Sequence, residues 1–65
     1  MIRGFSKEMK AKRLSLHMSM SELSKSTHIS KRALYQYENG EVEPSTIRFL
    51  KICHALSIDP TYFLK

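Results

Sequence analysis

The stretch 19–40, SMSELSKSTHISKRALYQYENG, constrains this chain more than any other, because it holds two helix starts separated by a very short bend. Ser19 opens the first, and Glu22 stands three residues on. That spacing is a capping box: the serine oxygen accepts from an orphan amide while the glutamate reaches back to the cap. Met18 before the cap and Leu23 after it can form the accompanying hydrophobic staple. Ser30 opens the second start, with Ile29 and Leu34 as its staple. A helix from about 20 to 27 is therefore expected to meet one from about 31 to 39 across Thr27, His28 and Ile29. Gly40 falls where a left-handed helix end favours a residue without a Cβ.

Two helices crossing over so tight a turn fit a helix-turn-helix motif. Ser24 supplies the small residue that the crossing needs, and Leu23, Ile29, Leu34 and Tyr37 can fold back into one core. An ordinary helical hairpin inside an all-α domain uses the same caps and packing, so these residues alone leave both readings open.

Sixty-five residues allow one small domain, read here as 1–65, with a core near the lower limit of independent stability. A hydrophobic share of 42% favours a folded chain over a disordered one. There is no apolar run of the roughly 18 residues that a membrane span needs. No signal-like segment follows the N-terminus, and a lone cysteine builds no disulfide framework, so a cytoplasmic location is expected. A formal charge of +5 on so short a chain favours a polyanionic partner, nucleic acid first.

In chain order, residues 1–4 read as a flexible lead. A first helix is expected from Ser6 to about Leu16, with Phe5, Met9 and Leu16 on or near one face. Arg13 lies close to that apolar side, where a guanidinium needs a carboxylate partner. After Gly40, Pro44 keeps Glu43 extended and Ser45 caps a helix from about Thr46 to Ala55 or Leu56. Its stripe is Phe49, Ile52, Cys53 and Leu56, with Leu50 on the shoulder and Ile47 opposite. Asp59 and Pro60 then start a last turn carrying Tyr62, Phe63 and Leu64.

Arg13, Ser19-x-x-Glu22-Leu23, Ile29-Ser30, Tyr37-Glu38-Asn39-Gly40, Pro44-Ser45 and Ala55-Leu56-x-Ile58 occur in the order and spacing of a known family. Across roughly Phe5 to Leu64 the chain resembles the DNA-binding domain of phage repressors and Cro proteins, the XRE-type helix-turn-helix family. The resemblance implies an all-α, lambda-repressor-like bundle of five short helices with the helix-turn-helix at helices two and three. It implies a double-stranded DNA operator as partner, and a transcriptional regulator, a repressor above all, as function. By the same resemblance Lys31, Arg32 and Gln36 face the major groove, with Ala33 and Tyr35 nearby. Lys31 and Arg32 can donate to guanine, Gln36 can pair with adenine, and the Ala33 methyl can touch thymine. Phosphate contact without base reading remains the other role for Lys31 and Arg32, and partial burial the other role for Tyr35.

Phosphates favour helix N-termini, which nominates Ser19, Ser21, Ser30, Ser45 and Thr46. Asn39 matches a phosphate contact of the family, and Arg48 lies within reach of the backbone as well. The family arrangement also sets Glu38 against Arg13 as an ion pair. Three departures stand out: Met20 where the family usually has glutamine, His28 where it often has glycine, and the acidic Glu41 and Glu43 where its loop is often basic. They keep open a second reading, a protein-interaction module on the same fold, such as an antirepressor or an antitoxin.

Tyr62, Phe63 and Leu64 cannot all turn inward from one short turn. Phe63 matches the inward position of the family, which often dimerises through this region. A weak homodimer through Ile58, Tyr62 and Leu64 is therefore expected. The alternative is that Leu64 covers Ile47 or the N-terminal lead in a monomer. Enzymatic readings find little support, since His17, His28 and His54 do not cluster and Cys53 lies on an apolar stripe. No cofactor, metal or small-molecule ligand is called for.

Overall fold

The computed structural model describes residues 4–64, without the side chain of Leu64. The flexible lead expected at 1–4 therefore lies outside the described residues, apart from Gly4. Four α-helices follow in order: α1 (Phe5–Ser15), α2 (Met20–Thr27), α3 (Lys31–Glu38) and α4 (Thr46–Leu56). The chain closes on a 3₁₀ turn over Pro60–Leu64, and no strand occurs among the described residues. The fold is all-α as expected, with a 3₁₀ turn in place of a fifth α-helix. Asp59 accounts for the tightening. Its carboxylate accepts from the Thr61 N–H at 3.0 Å and the Thr61 hydroxyl at 2.8 Å, while its carbonyl takes the Tyr62 N–H at 3.0 Å. An i→i+3 bond of that kind is what a single short turn sustains.

The starts of the helices follow their caps. Ser19 Oγ accepts from the Glu22 N–H at 3.1 Å, and Glu22 returns the contact to the Ser19 N–H at 3.1 Å. Ser30 caps α3 through the Ala33 N–H and Ser45 caps α4 through the Arg48 N–H. The first helix starts one residue earlier than expected, because Gly4 adopts φ +76° and its carbonyl takes the Glu8 N–H.

At their far ends all four helices turn into the left-handed region. His17, His28, Gly40 and Ser57 have φ of 54°, 58°, 74° and 57°. After α1, α3 and α4 the next amide reaches back five residues: Met18 to Arg13, Glu41 to Gln36 and Ile58 to Cys53. These are Schellman ends, which satisfy carbonyls that would otherwise be orphaned. The left-handed His17 ends α1 at Ser15 and leaves Leu16 outside it, 43% exposed, so Leu16 does not extend the apolar face. Similarly, α3 ends at Glu38 and Asn39 becomes its cap.

One core gathers Phe5 and Met9 from α1, Met20 and Leu23 from α2, and Ile29 from the bend. Leu34 and Tyr37 from α3 join Phe49, Ile52, Cys53 and Leu56 from α4. α1 and α2 each pack against both α3 and α4. Burial of each large side chain contributes about 1.5–3 kcal/mol. Leu50 and Ile47 stay outside, at 47% and 69% exposed. Phe63 reaches back across the core edge, its ring 5.6 Å from Phe5 and 5.8 Å from Phe49. Phe5 and Phe49 meet at 5.0 Å, so the three rings form one edge-to-face cluster.

Candidate nucleic-acid interface

The orientation of α3 follows from its buried residues. Leu34, Tyr37 and Glu38 face the molecule, and successive helical residues turn by about 100°. Arg32 and Gln36 therefore occupy the opposite side, with Tyr35 flanking them at 50% exposed. Lys31 and Arg32 are exposed, while Gln36 is half-buried. Lys31 leans toward α2, where its Nζ donates to Ser21 Oγ at 3.5 Å. Ala33 is half-buried and packs against the core, which draws its methyl away from the outer face.

Beneath this face, α3 is fastened at its last turn. Arg13 Nε and Nη2 donate to the two Glu38 carboxylate oxygens at 3.0 and 2.9 Å, and Nη1 donates to the Met18 carbonyl at 3.0 Å. The side chains are 12% and 4% exposed, so the pair is largely out of water. The hydrogen bond to Glu38 raises the Arg13 pKa above the ordinary arginine value, against an opposing effect of burial. A bidentate fork of this kind fixes angle as well as distance. On the opposite side Arg48 Nη1 donates to the Tyr37 hydroxyl at 2.8 Å. Residues 37 and 38 are thus tied to α4 and α1 respectively.

The bend between α2 and α3 has its own lock. Ser24 Oγ donates to the Ile29 carbonyl at 2.6 Å, so the residue whose small size suits the crossing also holds the turn. Thr27 Oγ1, fully buried, donates to the Leu23 carbonyl at 2.8 Å. His28 adopts the left-handed conformation that glycine would adopt without strain.

Ser19, Ser21, Ser30, Ser45 and Thr46 are all exposed at the starts of α2, α3 and α4. The Ser19, Ser30 and Ser45 oxygens accept cap bonds there. Asn39 is exposed and its Nδ2 donates to Glu41 Oε2 at 3.3 Å, so an acidic side chain occupies a donor nominated for phosphate. Met20 is 5% exposed and belongs to the core, so it offers nothing to an external ligand.

Ile58 is half-buried against the core rather than displayed. Tyr62 is 58% exposed and borders a groove shared with Glu8, Lys12, Ser57 and Ile58. The Leu64 side chain lies outside the described residues. Cys53 is buried, and burial pushes its thiol pKa up, away from the thiolate that nucleophiles and metal ligands require. Among the described residues no helix is long and apolar enough to cross a membrane.

Sequence reasoning missed the Tyr37–Arg48 bond, the Asn39–Glu41 bond and the burial of Met20. No spacing rule links residues on separate helices, so the first of these had no signal in the chain. Met20 did have one, since it is apolar and three residues before Leu23.

A model of the helix-turn-helix family matches residues 9–63. Comparison with curated proteins and with solved structures gives no match.

Proposed function

Because this chain belongs to the helix-turn-helix family of the phage repressor and Cro type, a family of DNA-binding regulators, we propose that it is a sequence-specific transcriptional repressor. In this reading α2 and α3 are the helix-turn-helix and α3 enters the major groove of double-stranded DNA. The single observation that carries it is the outward pairing of Arg32 and Gln36 on a helix braced from behind by Arg13 and Glu38. Arg32 reads guanine and Gln36 reads adenine; Lys31 and Tyr35 lie at the edges of the footprint, and Ala33 touches it least. Ser19, Ser21, Ser30, Asn39, Ser45, Thr46 and Arg48 contact phosphates and fix register. The net charge of +5 steers the encounter.

One domain of this size covers few base pairs, so two copies bind a two-fold site. They meet weakly through the Ile58, Tyr62 and Leu64 region, in the cytoplasm. Selection of bound sequences from a random duplex library tests the reading directly. A recovered two-fold motif supports it; absence of enrichment together with absence of salt-dependent duplex binding refutes it.

The second reading, an interaction module that masks a protein partner, draws on the Asn39–Glu41 bond. An acidic loop beside a phosphate donor weakens DNA binding. Replacing Glu41 with glutamine separates the two: a DNA-binding protein gains affinity, and a masking module gains none.

A further inference from the structure

We propose that the Tyr37 hydroxyl is a positioning group that holds Arg48 ready for a DNA phosphate; this rests on the DNA-binding reading above. The Tyr37 ring belongs to the core, 6% exposed, and a phenylalanine ring would pack there as well. Its hydroxyl has a separate role, accepting from Arg48 Nη1 at 2.8 Å. Arg48 itself is an exposed residue of the first turn of α4. A guanidinium carries five N–H donors in a rigid fork, and the bond to Tyr37 uses one of them.

An arginine on the surface loses rotamer freedom when it grips a phosphate, and that loss subtracts from affinity. Anchoring one nitrogen on a buried phenol takes part of that loss before DNA arrives. The bond also joins α4 to α3, so the phosphate grip is measured from the helix that carries Arg32 and Gln36. Arg48 therefore helps set how deeply α3 enters the groove, through a group that itself never touches DNA.

The test is equilibrium binding of the whole chain to mixed-sequence duplexes across a salt series, with thermal unfolding measured in parallel. Tyr37→Phe should keep the midpoint of unfolding within a few degrees and weaken binding roughly two- to tenfold on every duplex alike. Arg48→Ala should weaken binding further and lower the salt slope by about one phosphate contact. Adding Tyr37→Phe to Arg48→Ala should cost nothing more. Three results would overturn the proposal: Tyr37→Phe binding like wild type, the same loss from Tyr37→Phe in both backgrounds, or an unchanged salt slope in Arg48→Ala. A wild type that shows no salt-dependent duplex binding removes the DNA reading and this inference together. Wild-type binding that Tyr37→Phe leaves intact removes the inference alone.

Discussion

Arg13 ties three parts of the chain together, because it satisfies Glu38 and the Met18 carbonyl at once. Arg13→Ala should cost about 3 kcal/mol, since it strands a carboxylate that is almost fully buried. Urea unfolding measures this, and a midpoint equal to wild type would contradict it. Half of that pair was legible: an arginine near the apolar side of a helix demands a carboxylate. Which carboxylate came only with the family arrangement, because a contact across 25 residues leaves no periodic trace. At the surface of α3, Arg32→Ala and Gln36→Ala should each cost about 1–3 kcal/mol at the operator and relax one base pair of preference. Asn39→Ala should instead weaken all duplexes equally, which competition with non-operator DNA resolves. Backbone strain gives a paired expectation. A Cβ added at Gly40 would meet Ser6 Oγ at 3.6 Å, an ordinary contact, so Gly40→Ala is penalised by its positive φ rather than by crowding. It should lose about 1–2 kcal/mol, and His28→Gly should gain about 0.5–1 kcal/mol for the converse reason.

At the level of elements, the starts of α2, α3 and α4 could be read from their caps and the ends of α2 and α4 fell where expected, but the left-handed residues that close the helices were less legible. Ser19, Ser30 and Ser45 announce themselves through side chains that accept nearby amides, a local chemistry written in adjacent residues. The ends at His17 and Ser57 use backbone geometry that many residues can tolerate when tertiary packing demands it. Only Gly40 and His28 gave warning, one by its missing Cβ and one by replacing a glycine of the family. The capping box of α2 also makes a statement about acidity. The Ser19 N–H, with the Ser19 hydroxyl second, holds the Glu22 carboxyl below the ordinary glutamate pKa. A carboxyl lowered in the folded state stabilises above its unfolded pKa of about 4.3 and loses that contribution as pH falls through the lower folded value. Stability from α2 should therefore decline as the solution is acidified below about pH 4. Glu22→Gln should flatten that part of the curve, as seen in chemical denaturation repeated from pH 6 to pH 3 (roughly the span of glutamate titration).

For the whole molecule, the surplus of cations and the exposed Tyr62 make separate claims. Binding to any duplex should weaken steeply with salt, because each phosphate contact releases counterions. Tyr62→Asp should reduce cooperative operator binding and shift sedimentation toward the monomer at high protein concentration. Equal cooperativity in both proteins would place the contact between copies elsewhere. The three-ring cluster has a different consequence when the chain is viewed as a polymer. The contact between Phe5 and Phe63 closes a loop over nearly the entire described length. Loop closure becomes slowly more costly with length, and such a closure is gained only after the intervening helices have formed. The 3₁₀ turn should therefore dock late in folding and open first under native conditions. Since Phe63 covers Phe5 as well as Phe49, its departure loosens the opening turn of α1 at the same moment. Hydrogen exchange should show amides at the two ends of the chain sharing one opening, with Phe63→Ala accelerating both while the α2–α3 bend keeps its protection.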